Sequence, residues 1–460
     1  MKKLALYIIL CFGSLVAFAQ TTIIYPAIPE LRTSTDFSTR VNGRSVWTEV
    51  VGAGGMEDLN MVNFSCEGTQ AITITASEEI RSYQILPKSA AIKAHAQGRE
   101  LSFTIDGPRK LYIKINDRPH LAVFANPLET DAPEPNAENV LYFGPGKHDV
   151  GRIELQSNQT IYIAGGAHVV ANVMGTGANN VKLFGRGSLL GNVRVTSSDN
   201  FWVDGISIRY TKGWANTLSN CSNSGYNNVK VFTYEGVWGL DGINPVSCKK
   251  FDITDCFIRT RDDCIAIKSN GRRGGDGYDL STRDITVSKS LLIGWDHADG
   301  VTLGFELNGG TVQHVLVKDC DILRAWGNGR SGGHSAFSIV CDGSSEVSDI
   351  CFEDIRVEND IEYKNMEIIL TEGERYGNGK MGTIHGVHMK NVTWENMLKP
   401  FTIVGHPTRF VENITFTNCY VGGKLLTGLD VAQFQIEFAR GIKFIPGGEA
   451  DRSRYPENKE

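Results

Sequence analysis

Between about residues 21 and 125 the chain alternates apolar and polar residues in short runs separated by turns. Examples are AITITA (71–76), LSFTIDG (101–107) and LYIKIND (111–117). A period of two buries one face of a strand and leaves the other in water. Several such strands in succession predict a small antiparallel β-sandwich over residues 20–125.

A second pattern repeats through the rest of the chain. Apolar residues at alternate positions are followed by Asn, Asp or Gly and then by further apolar residues. The nine copies start at Val181, Phe201, Val229, Phe251, Ile285, Val315, Ile350, Val387 and Ile414. Irregular repeats with such turns, and without long amphipathic helices, predict a right-handed parallel β-helix over residues 141–445. The alternative is a β-propeller, whose blades need four antiparallel strands in ~40 residues.

Two segments lie outside these patterns. Residues 126–140 include NPLETDAPEPNAEN, which is rich in proline and acidic residues and predicts a linker between the two domains. Residues 446–460 form a polar C-terminal tail. The fold class predicted from the whole chain is therefore all-β, with a sandwich preceding a parallel β-helix.

The first nineteen residues have the composition of a secretory signal. Lys2 and Lys3 precede an apolar stretch from Leu4 to Phe18, and small residues flank a cleavage position after Ala19. The alternative is a membrane anchor, but the stretch is shorter than the ~20 residues that a span needs. We predict a signal peptide at 1–19 and a secreted or periplasmic protein with no membrane span.

Charge and cysteine content narrow the classes of partner. The formal charge is −6 without any block of Lys or Arg, so nucleic acid is not an expected partner. Of ten cysteines, Cys11 leaves with the signal, and the odd remainder argues against a disulfide framework and for buried thiols. No C-x-x-C or clustered His pattern suggests zinc. We expect a monomer with no metal and no organic cofactor.

Three successive coils of the predicted β-helix carry nearly the same phrase. LDGINPV (240–246), DDCIAIK (262–268) and ADGVTLG (298–304) each place an Asp before a strand. In register, Asp241, Asp263 and Asp299 would lie on one face at a spacing of ~4.8 Å per coil, and Asp262 would join the middle coil. The next coil would bring His334 and Ser335 to the same edge.

Carboxylates this close repel one another, so at least one should have a raised pKa and act as an acid while another stays ionised. Glycoside hydrolysis needs this pairing, because one group protonates the leaving oxygen while the other activates water. A gap of ~6.5–9.5 Å between the two groups is typical of inversion. Turn formation and Ca²⁺ binding are the alternative uses of such aspartates.

The segment DGINPVSCKKFDITDCFIRTRDDCIAIKS closely resembles the central motif of the polygalacturonase-like glycoside hydrolases, a parallel β-helix family that acts on pectin. The resemblance covers about residues 141–425. It implies that Asp262 is the general acid and that Asp241 and Asp263 position and activate the water. The preceding sandwich is similar to that of the related dextranase and isopullulanase family.

Two departures from the family pattern bear on specificity. Asp299 stands where the family's G-H-G motif has its His, with His297 two residues upstream, and the later R-I-K motif has no clear counterpart. A uronate would normally require a cation. Lys268 is one candidate, and the nearby arginines are Arg259, Arg261, Arg272 and Arg273.

Further residues near the predicted catalytic edge are candidates for substrate binding. The predicted set is Asp299, His297, His334, Lys268, Trp295 and Glu306. Trp238, Trp295 and Trp326 could stack on sugar faces or pack in the core, and Glu306 could bond hydroxyls or end a strand. The loop NGRRGGDGYD (270–279) would wall one end of a cleft, which favours exo action.

These features predict a secreted glycoside hydrolase that cleaves the O-glycosidic bonds of a polysaccharide or its oligosaccharides by an inverting acid/base mechanism. The substrate would be pectin-related, or a dextran-like or algal glycan. One alternative is a polysaccharide lyase, which needs a strong base such as Arg or Lys, often with Ca²⁺. The other is a non-catalytic carbohydrate-binding β-helix protein.

Overall fold

The computed structural model of the protein describes residues 20–52, 58–210, 213–233, 239–269, 279–295, 297–326, 335–358, 364–373, 376–397 and 399–447. The predicted signal peptide and residues 448–460 of the predicted tail lie outside these ranges. Strands dominate the described residues, and the helical element among them is a short 3-10 turn, Lys88–Ala90.

The N-terminal strands form two sheets. The strands are β1 (Thr21–Ile24), β2 (Phe37–Val41), β3 (Arg44–Val46), β4 (Thr48–Val51), β5 (Leu59–Glu67), β6 (Gln70–Ala76), β7 (Tyr83–Leu86), β8 (Ala94–Gln97), β9 (Glu100–Ile105), β10 (Arg109–Ile115) and β11 (Leu121–Asn126). One sheet has the order β1-β5-β11-β10-β7, with β4 also paired to β5, and the other has the order β3-β2-β6-β9-β8. The pairs are antiparallel except β11 with β5, which is parallel.

Alternate side chains of the two sheets meet in a core. On β9, Leu101, Phe103 and Ile105 are buried between exposed neighbours. They pack in one cluster with residues of the facing sheet such as Phe64 and Ile113. The period-two pattern therefore produces the predicted sandwich.

The remaining strands wind into coils. They are β12 (Val140–Phe143), β13 (Gly146–Glu154), β14 (Thr160–Ile163), β15 (Ala167–Thr176), β16 (Val181–Gly185), β17 (Ser188–Leu190), β18 (Val193–Thr196), β19 (Phe201–Asp204), β20 (Ser207–Tyr210), β21 (Asn216–Ser219), β22 (Ser222–Asn227), β23 (Lys230–Thr233), β24 (Ile243–Val246), β25 (Lys249–Thr254), β26 (Phe257–Thr260), β27 (Ile265–Ser269), β28 (Thr282–Ser288), β29 (Leu291–Gly294), β30 (Val301–Leu307), β31 (Thr311–Lys318), β32 (Asp321–Arg324), β33 (Ser335–Cys341), β34 (Glu346–Glu353), β35 (Arg356–Val357), β36 (Lys364–Leu370), β37 (Thr383–Lys390), β38 (Thr393–Trp394), β39 (Phe401–Val404), β40 (Val411–Thr417), β41 (Tyr420–Val421), β42 (Lys424–Leu425), β43 (Phe434–Glu437), β44 (Ala439–Arg440) and β45 (Lys443–Ile445).

Strands of successive coils pair in parallel and form three ladders. The first ladder runs β18-β21-β24-β27-β30-β33-β36-β39-β43. The second runs β17-β20-β23-β26-β29-β32-β35-β38-β41. The third runs β12-β14-β16-β19-β22-β25-β28-β31-β34-β37-β40-β44. The inward side chains of all three ladders form one continuous apolar core.

The predicted repeat marks the third ladder. Eight of the nine starting residues lie on its strands, and the later ones pair directly in the order Phe251, Ile285, Val315, Ile350, Val387, Ile414. The start predicted at Val229 is wrong, because it immediately precedes β23 of the second ladder. Its place on the third ladder is taken by Ser224, which pairs with Phe251.

The sandwich packs against the outward face of the second ladder. Phe124 of the sandwich lies 4.9 Å from Phe257 and 6.2 Å from Phe232, measured between ring centroids. These rings belong to an apolar cluster that contains residues from both parts of the chain. Polar contacts cross the same contact surface: Lys230 Nζ, which is buried, donates to Asn126 Oδ1 of β11.

A buried ion pair also joins the two parts. Arg209 Nη2 on β20 donates to Glu49 Oε2 on β4 at 2.7 Å, and Arg209 Nη1 donates to Glu49 Oε1. Their side chains are 6% and 3% exposed, so each charge depends on the other for compensation.

The predicted fold class, a right-handed parallel β-helix preceded by a β-sandwich, is confirmed. The nine cysteines of the described residues are free thiols, and all except Cys351 are buried. No helix in the described part of the chain is long and apolar enough to cross a membrane.

We predict that Arg209→Met lowers the free energy of unfolding by about 3–5 kcal/mol, because it leaves the Glu49 carboxylate buried and unpaired. Urea denaturation followed by circular dichroism measures this loss. The double variant Glu49→Gln with Arg209→Met should regain part of it. The matched control is Arg440→Met, whose side chain is 67% exposed beside Glu412, and it should cost less than about 1 kcal/mol. An equal loss in both single variants would contradict the prediction.

Candidate active site

The start of the first ladder's central strands brings the predicted aspartates together. Ile243, Ile265, Val301 and Phe337 are successive partners in register. Two positions before each of them stand Asp241, Asp263, Asp299 and Ser335. The predicted stacking of the three aspartates, with Ser335 at the next edge, is therefore present in the fold.

Asp241, Asp262 and Asp263 form a compact group, here called the carboxylate trio. One carboxylate oxygen from each lies within 4.8 Å of the others. Asp241 and Asp263 are only 3% and 8% exposed, whereas Asp262 is half-buried. The trio thus has two members in its floor and one directed towards solvent.

Backbone amides hold two members of the trio, Asp262 and Asp263. The Gly239 N–H donates to Asp262 Oδ2 at 2.7 Å, and the Asp263 N–H donates to Asp262 Oδ1 at 3.0 Å. The Asp299 N–H donates to Asp263 Oδ1 at 2.9 Å. Each bond depends on the local turn before a strand, so the orientation of the carboxylates is set by the backbone.

Asp299 lies beneath the trio and contacts the following coil. It is 2% exposed, and its Oδ2 accepts a hydrogen bond from Ser338 Oγ at 2.6 Å. Its Oδ1 accepts one from the Ser335 N–H, and Ser338 Oγ is also 2.7 Å from Thr302 Oγ1. Both carboxylate oxygens of Asp299 thus accept hydrogen bonds from the next coil, while its own N–H donates to Asp263.

Lys268 supplies positive charge to the site. Its Nζ donates to Glu306 Oε2 at 2.7 Å and lies 3.9 Å from Asp241 Oδ2 and 4.7 Å from the centroid of the Trp214 ring. Burial disfavours the ammonium, but Glu306, Asp241 and Asp263 outweigh that effect and raise the pKa of Lys268. Lys268 and Glu306, predicted separately as sugar ligands, are thus joined in a buried pair beside Asp241.

Burial raises the pKa of the Asp241 carboxyl well above its usual range, and the Asp262 charge adds to the rise while Lys268 opposes it. Burial also raises the pKa of Asp263, with further repulsion from Asp299, Asp262 and Asp241. The carboxyl groups are close enough for their charges to interact strongly, so the protonation of one group depends on that of the others.

The trio also has the donor atoms of a site for a hard divalent cation, since Ca²⁺ and Mg²⁺ bind carboxylate oxygens. The protonated Lys268 already places a positive charge beside Asp241. The trio alone therefore does not identify a metal site.

The other predicted ligands differ in their surroundings. Trp295 is half-buried, and the guanidinium carbons of Arg324 and Arg259 lie 3.4 and 5.3 Å from its ring centroid. His297 is half-buried, with its N–H on the Arg261 carbonyl at 3.2 Å. Trp326 packs against the β-helix core, which favours the packing interpretation.

Several candidates lie outside the described residues: His334, Trp238, Arg272, Arg273 and the loop residues 270–278. The sequence analysis missed Trp214, whose ring contacts the Lys268 ammonium, because it follows no repeated position. Asn244 was also missed: it lies three residues after Asp241, and its buried amide has no hydrogen-bond partner in the described structure.

Comparisons with known proteins agree with this architecture. Residues 191–401 match the model of Glycosyl hydrolases family 28. A segment of 79 residues is 37% identical to a "Probable polygalacturonase" of Vitis vinifera and covers 17% of this chain and 16% of that protein. The matched segment is therefore a small part of the curated relative.

Solved structures extend the likeness to most of the chain. Dex49A from Penicillium minioluteum is 14% identical, with a TM-score of 0.63 over 92% of this chain and 96% of that one. The exopolygalacturonase from Thermotoga maritima is 17% identical, with a TM-score of 0.52 over 66% of this chain and 83% of that one. These structures support the fold, and the family match confirms the predicted resemblance to polygalacturonase-like glycoside hydrolases.

We predict that Asp263→Asn stabilises the folded protein at pH 7 by about 1–2 kcal/mol, since it removes a buried charge from a functional site. The raised pKa means that the folded state binds the proton more tightly than the unfolded state. Stability therefore falls as pH rises above the unfolded value of ~3.9, up to the folded pKa. Urea titrations at pH 7 and below pH 4 should show the gain at pH 7 and its loss in acid.

The matched control is Asp117→Asn, in an exposed turn of the sandwich, which should change stability by less than about 0.5 kcal/mol at either pH. A variant at Asp263 that is less stable than wild type at pH 7 would show that the site compensates the buried charge fully.

Proposed function

We propose that this chain, whose residues 191–401 carry the family 28 pattern, hydrolyses O-glycosidic bonds in a pectin-like or related polysaccharide, or in its oligosaccharides. The observation that carries the proposal is the carboxylate trio, with oxygens within 4.8 Å and one solvent-facing member above two buried ones. Acid/base cleavage of a glycoside needs carboxyl groups in two protonation states.

Asp262 is the general acid in this proposal. Of the trio it is the most exposed, and two backbone N–H groups hold its carboxyl group in place. It transfers its proton to the glycosidic oxygen as the bond from that oxygen to the anomeric carbon breaks. Asp241 and Asp263 accept hydrogen bonds from one water, which attacks the anomeric carbon and gives up its proton to the pair.

Lys268 influences the protonation of Asp241 in this mechanism. Its ammonium stabilises the ionised form of Asp241, the form that a base requires, and Glu306 holds the ammonium in place. The ammonium opposes the rise in the pKa of Asp241 that burial and the Asp262 charge cause, although the net pKa still lies above its usual range. Lys268 is therefore a positioning residue that acts through Asp241.

The proposed outcome is inversion at the anomeric carbon. The separation of ~6.5–9.5 Å typical of inverting pairs is wider than the oxygen distances of the trio, which are nearer to the ~5–5.5 Å of retaining pairs. We nevertheless favour inversion because retention requires a nucleophile in contact with the sugar. Asp241 and Asp263 are buried, so a bridging water suits them better than direct attack.

The lyase alternative needs a neutral Lys or Arg as base. Lys268 lies beside the trio, and its raised pKa keeps it protonated and unable to accept a proton. A purely sugar-binding protein would gain nothing from two buried carboxylates that cost desolvation. Both alternatives are therefore less consistent with the site than hydrolysis.

The proposed setting is outside the cytoplasm, with a soluble glycan as the partner. Export follows from the predicted signal peptide at residues 1–19, and the monomeric state stays a prediction. Substrate candidates are polygalacturonan, rhamnogalacturonan, dextran, pullulan and carrageenans.

We predict that the wild-type protein releases reducing ends from at least one of these glycans without unsaturated products. Asp262→Asn should lower kcat by about 10²–10⁴-fold, because the leaving oxygen then departs unprotonated. Reducing-sugar assays and the ultraviolet absorbance of unsaturated ends measure both products. The control Asp284→Asn, on the third ladder beside His314, should retain full activity.

Unsaturated ends, or activity that Asp262→Asn leaves intact, would refute the assignment. Binding of a glycan without any product would instead support the sugar-binding alternative.

A second prediction concerns stereochemistry. Proton NMR recorded within the first turnovers should show the anomer opposite to that of the substrate bond, since water attacks from the far side. Initial release of the same anomer would indicate that Asp241 or Asp263 reaches the anomeric carbon directly.

A further inference from the structure

A cavity of about 250 Å³ lies on the outward face of the first ladder, before the coils that carry the trio. Its lining belongs to β13, β15, β18 and β21, together with Trp214 and Val246 of β24. The lining residues that matter here are Glu154, Arg194, Thr196, Trp214, Thr217 and Ser219. Neither the family match nor the trio assigns a role to this space.

The cavity and the trio's counter-ion Lys268 lie on the same row of the first ladder. Thr196, Ser219, Val246 and Lys268 are successive partners in one row of the ladder. The same row thus begins on the cavity floor and ends at the ammonium beside Asp241. Trp214 lines the cavity and also lies over Lys268, so one ring borders both spaces.

Exposure changes along this face. The outward side chains of β18 and β21 are half-buried, whereas those of β24 and β27 are buried. A linear ligand leaving the trio would therefore enter the more open part of the face at the cavity.

Arg194 supplies a positive charge to the cavity that is not paired with a carboxylate of the described residues. Arg152, on its rim, is already paired with Glu154 through Arg152 Nε at 2.6 Å. Arg194 has no carboxylate partner among the residues that the structure describes, and its side chain is half-buried between Met174 and Thr217. An arginine held this way can offer two parallel N–H groups to an anion.

We propose that this cavity is a distal subsite for an anionic sugar, with Arg194 as the residue that binds its carboxylate or sulfate group. The inference rests on the proposed function, since the sugar belongs to the same chain that the trio cleaves. Trp214 supplies an aromatic wall, and Thr196, Thr217 and Ser219 supply hydroxyls for the ring.

Arg194 lies several strand spacings along the ladder from the trio. β18 is three strand spacings from β27, which places Arg194 ~14 Å along the ladder from the coil of Asp262 and Asp263. Oligosaccharides must therefore exceed a minimum length before they gain this contact. Recognition of a charged distal sugar by Arg194 would then take the place of the basic R-I-K motif that is missing near the cleavage point.

The test uses the full chain with Asp262→Asn, so that bound glycans stay intact. Titration calorimetry compares this parent with the same protein carrying Arg194→Gln or, as the matched control, Arg99→Gln in an exposed sandwich turn. The probes are a galacturonic acid disaccharide and hexasaccharide, a sulfated carrageenan hexasaccharide and a neutral dextran hexasaccharide. The two anionic hexasaccharides distinguish carboxylate from sulfate.

We expect Arg194→Gln to weaken binding of an anionic hexasaccharide about 10–100-fold, because the variant loses a hydrogen bond between two charged groups. Affinity for the disaccharide and for dextran should be unchanged, and Arg99→Gln should match the parent. Equal affinities for the anionic hexasaccharide with and without Arg194, or failure of both anionic hexasaccharides to bind the parent, would overturn the subsite.

Failure of the proposed function gives a different result. The wild-type protein is incubated with the hexasaccharide that binds. Cleavage with a higher KM but unchanged kcat in Arg194→Gln supports both proposals. Arg194-dependent binding without cleavage would support the subsite and refute the proposed hydrolase activity.

Discussion

The structure depends on one constraint: successive coils pair in parallel and in register, so that a residue in one coil lies above its counterpart in the next. This converts spacings of 22 to 36 residues along the chain into steps of one strand, ~4.8 Å. Asp241, Asp263 and Asp299 meet for this reason alone. A one-residue slip in the pairing would turn each of the neighbouring strands inside out and separate the carboxylates.

The same register creates an electrostatic problem that Lys268 partly solves. Burying Asp241 and Asp263 next to Asp262 costs free energy through desolvation and repulsion, as the raised pKa of the buried pair indicates. One ammonium, held by Glu306, faces this charge. The rest of the cost is carried by the extensive apolar core, whose coils on either side hold the ladder fixed. Activity thus depends on stability stored elsewhere in the coils.

Sequence patterns could predict the fold because every coil obeys the same rule, and the exception is instructive. Ser224 occupies an apolar position on the third ladder, yet it is fully buried, because its hydroxyl donates to the Ser222 carbonyl and accepts from the Phe201 N–H. A buried polar residue whose hydrogen bonds are satisfied cannot be recognised from an apolar pattern. The repeat start was therefore predicted at Val229 instead of Ser224. The trio was predictable for the opposite reason: its aspartates repeat at the same place in each phrase.

The pairing of Lys268 with Glu306 and the contact with Trp214 could not be predicted in this way. The ion pair joins positions 38 residues apart on neighbouring coils, and the Trp214 contact joins positions 54 residues apart on coils two steps apart. Both depend on the reach of the side chains, and neither follows the repeat. Spacing fixes where a side chain starts, whereas its partner depends on rotamers and on the loops above. This explains why Lys268 and Glu306 were predicted as separate sugar ligands, without the ion pair that joins them.

The sandwich explains why the site lies on the first ladder. Sandwich residues such as Phe124 and Glu49 cover the outward face of the second ladder, which removes that face from contact with a long substrate. The third ladder displays alternating exposed side chains without a cluster of acids like the trio among its described residues. Among the described residues, the first ladder combines acids before its strands with a row that runs on to a cavity. In the proposed hydrolase, a polymer lies along this ladder, across several coils, and its cleavage point is the place where register stacks the carboxylates.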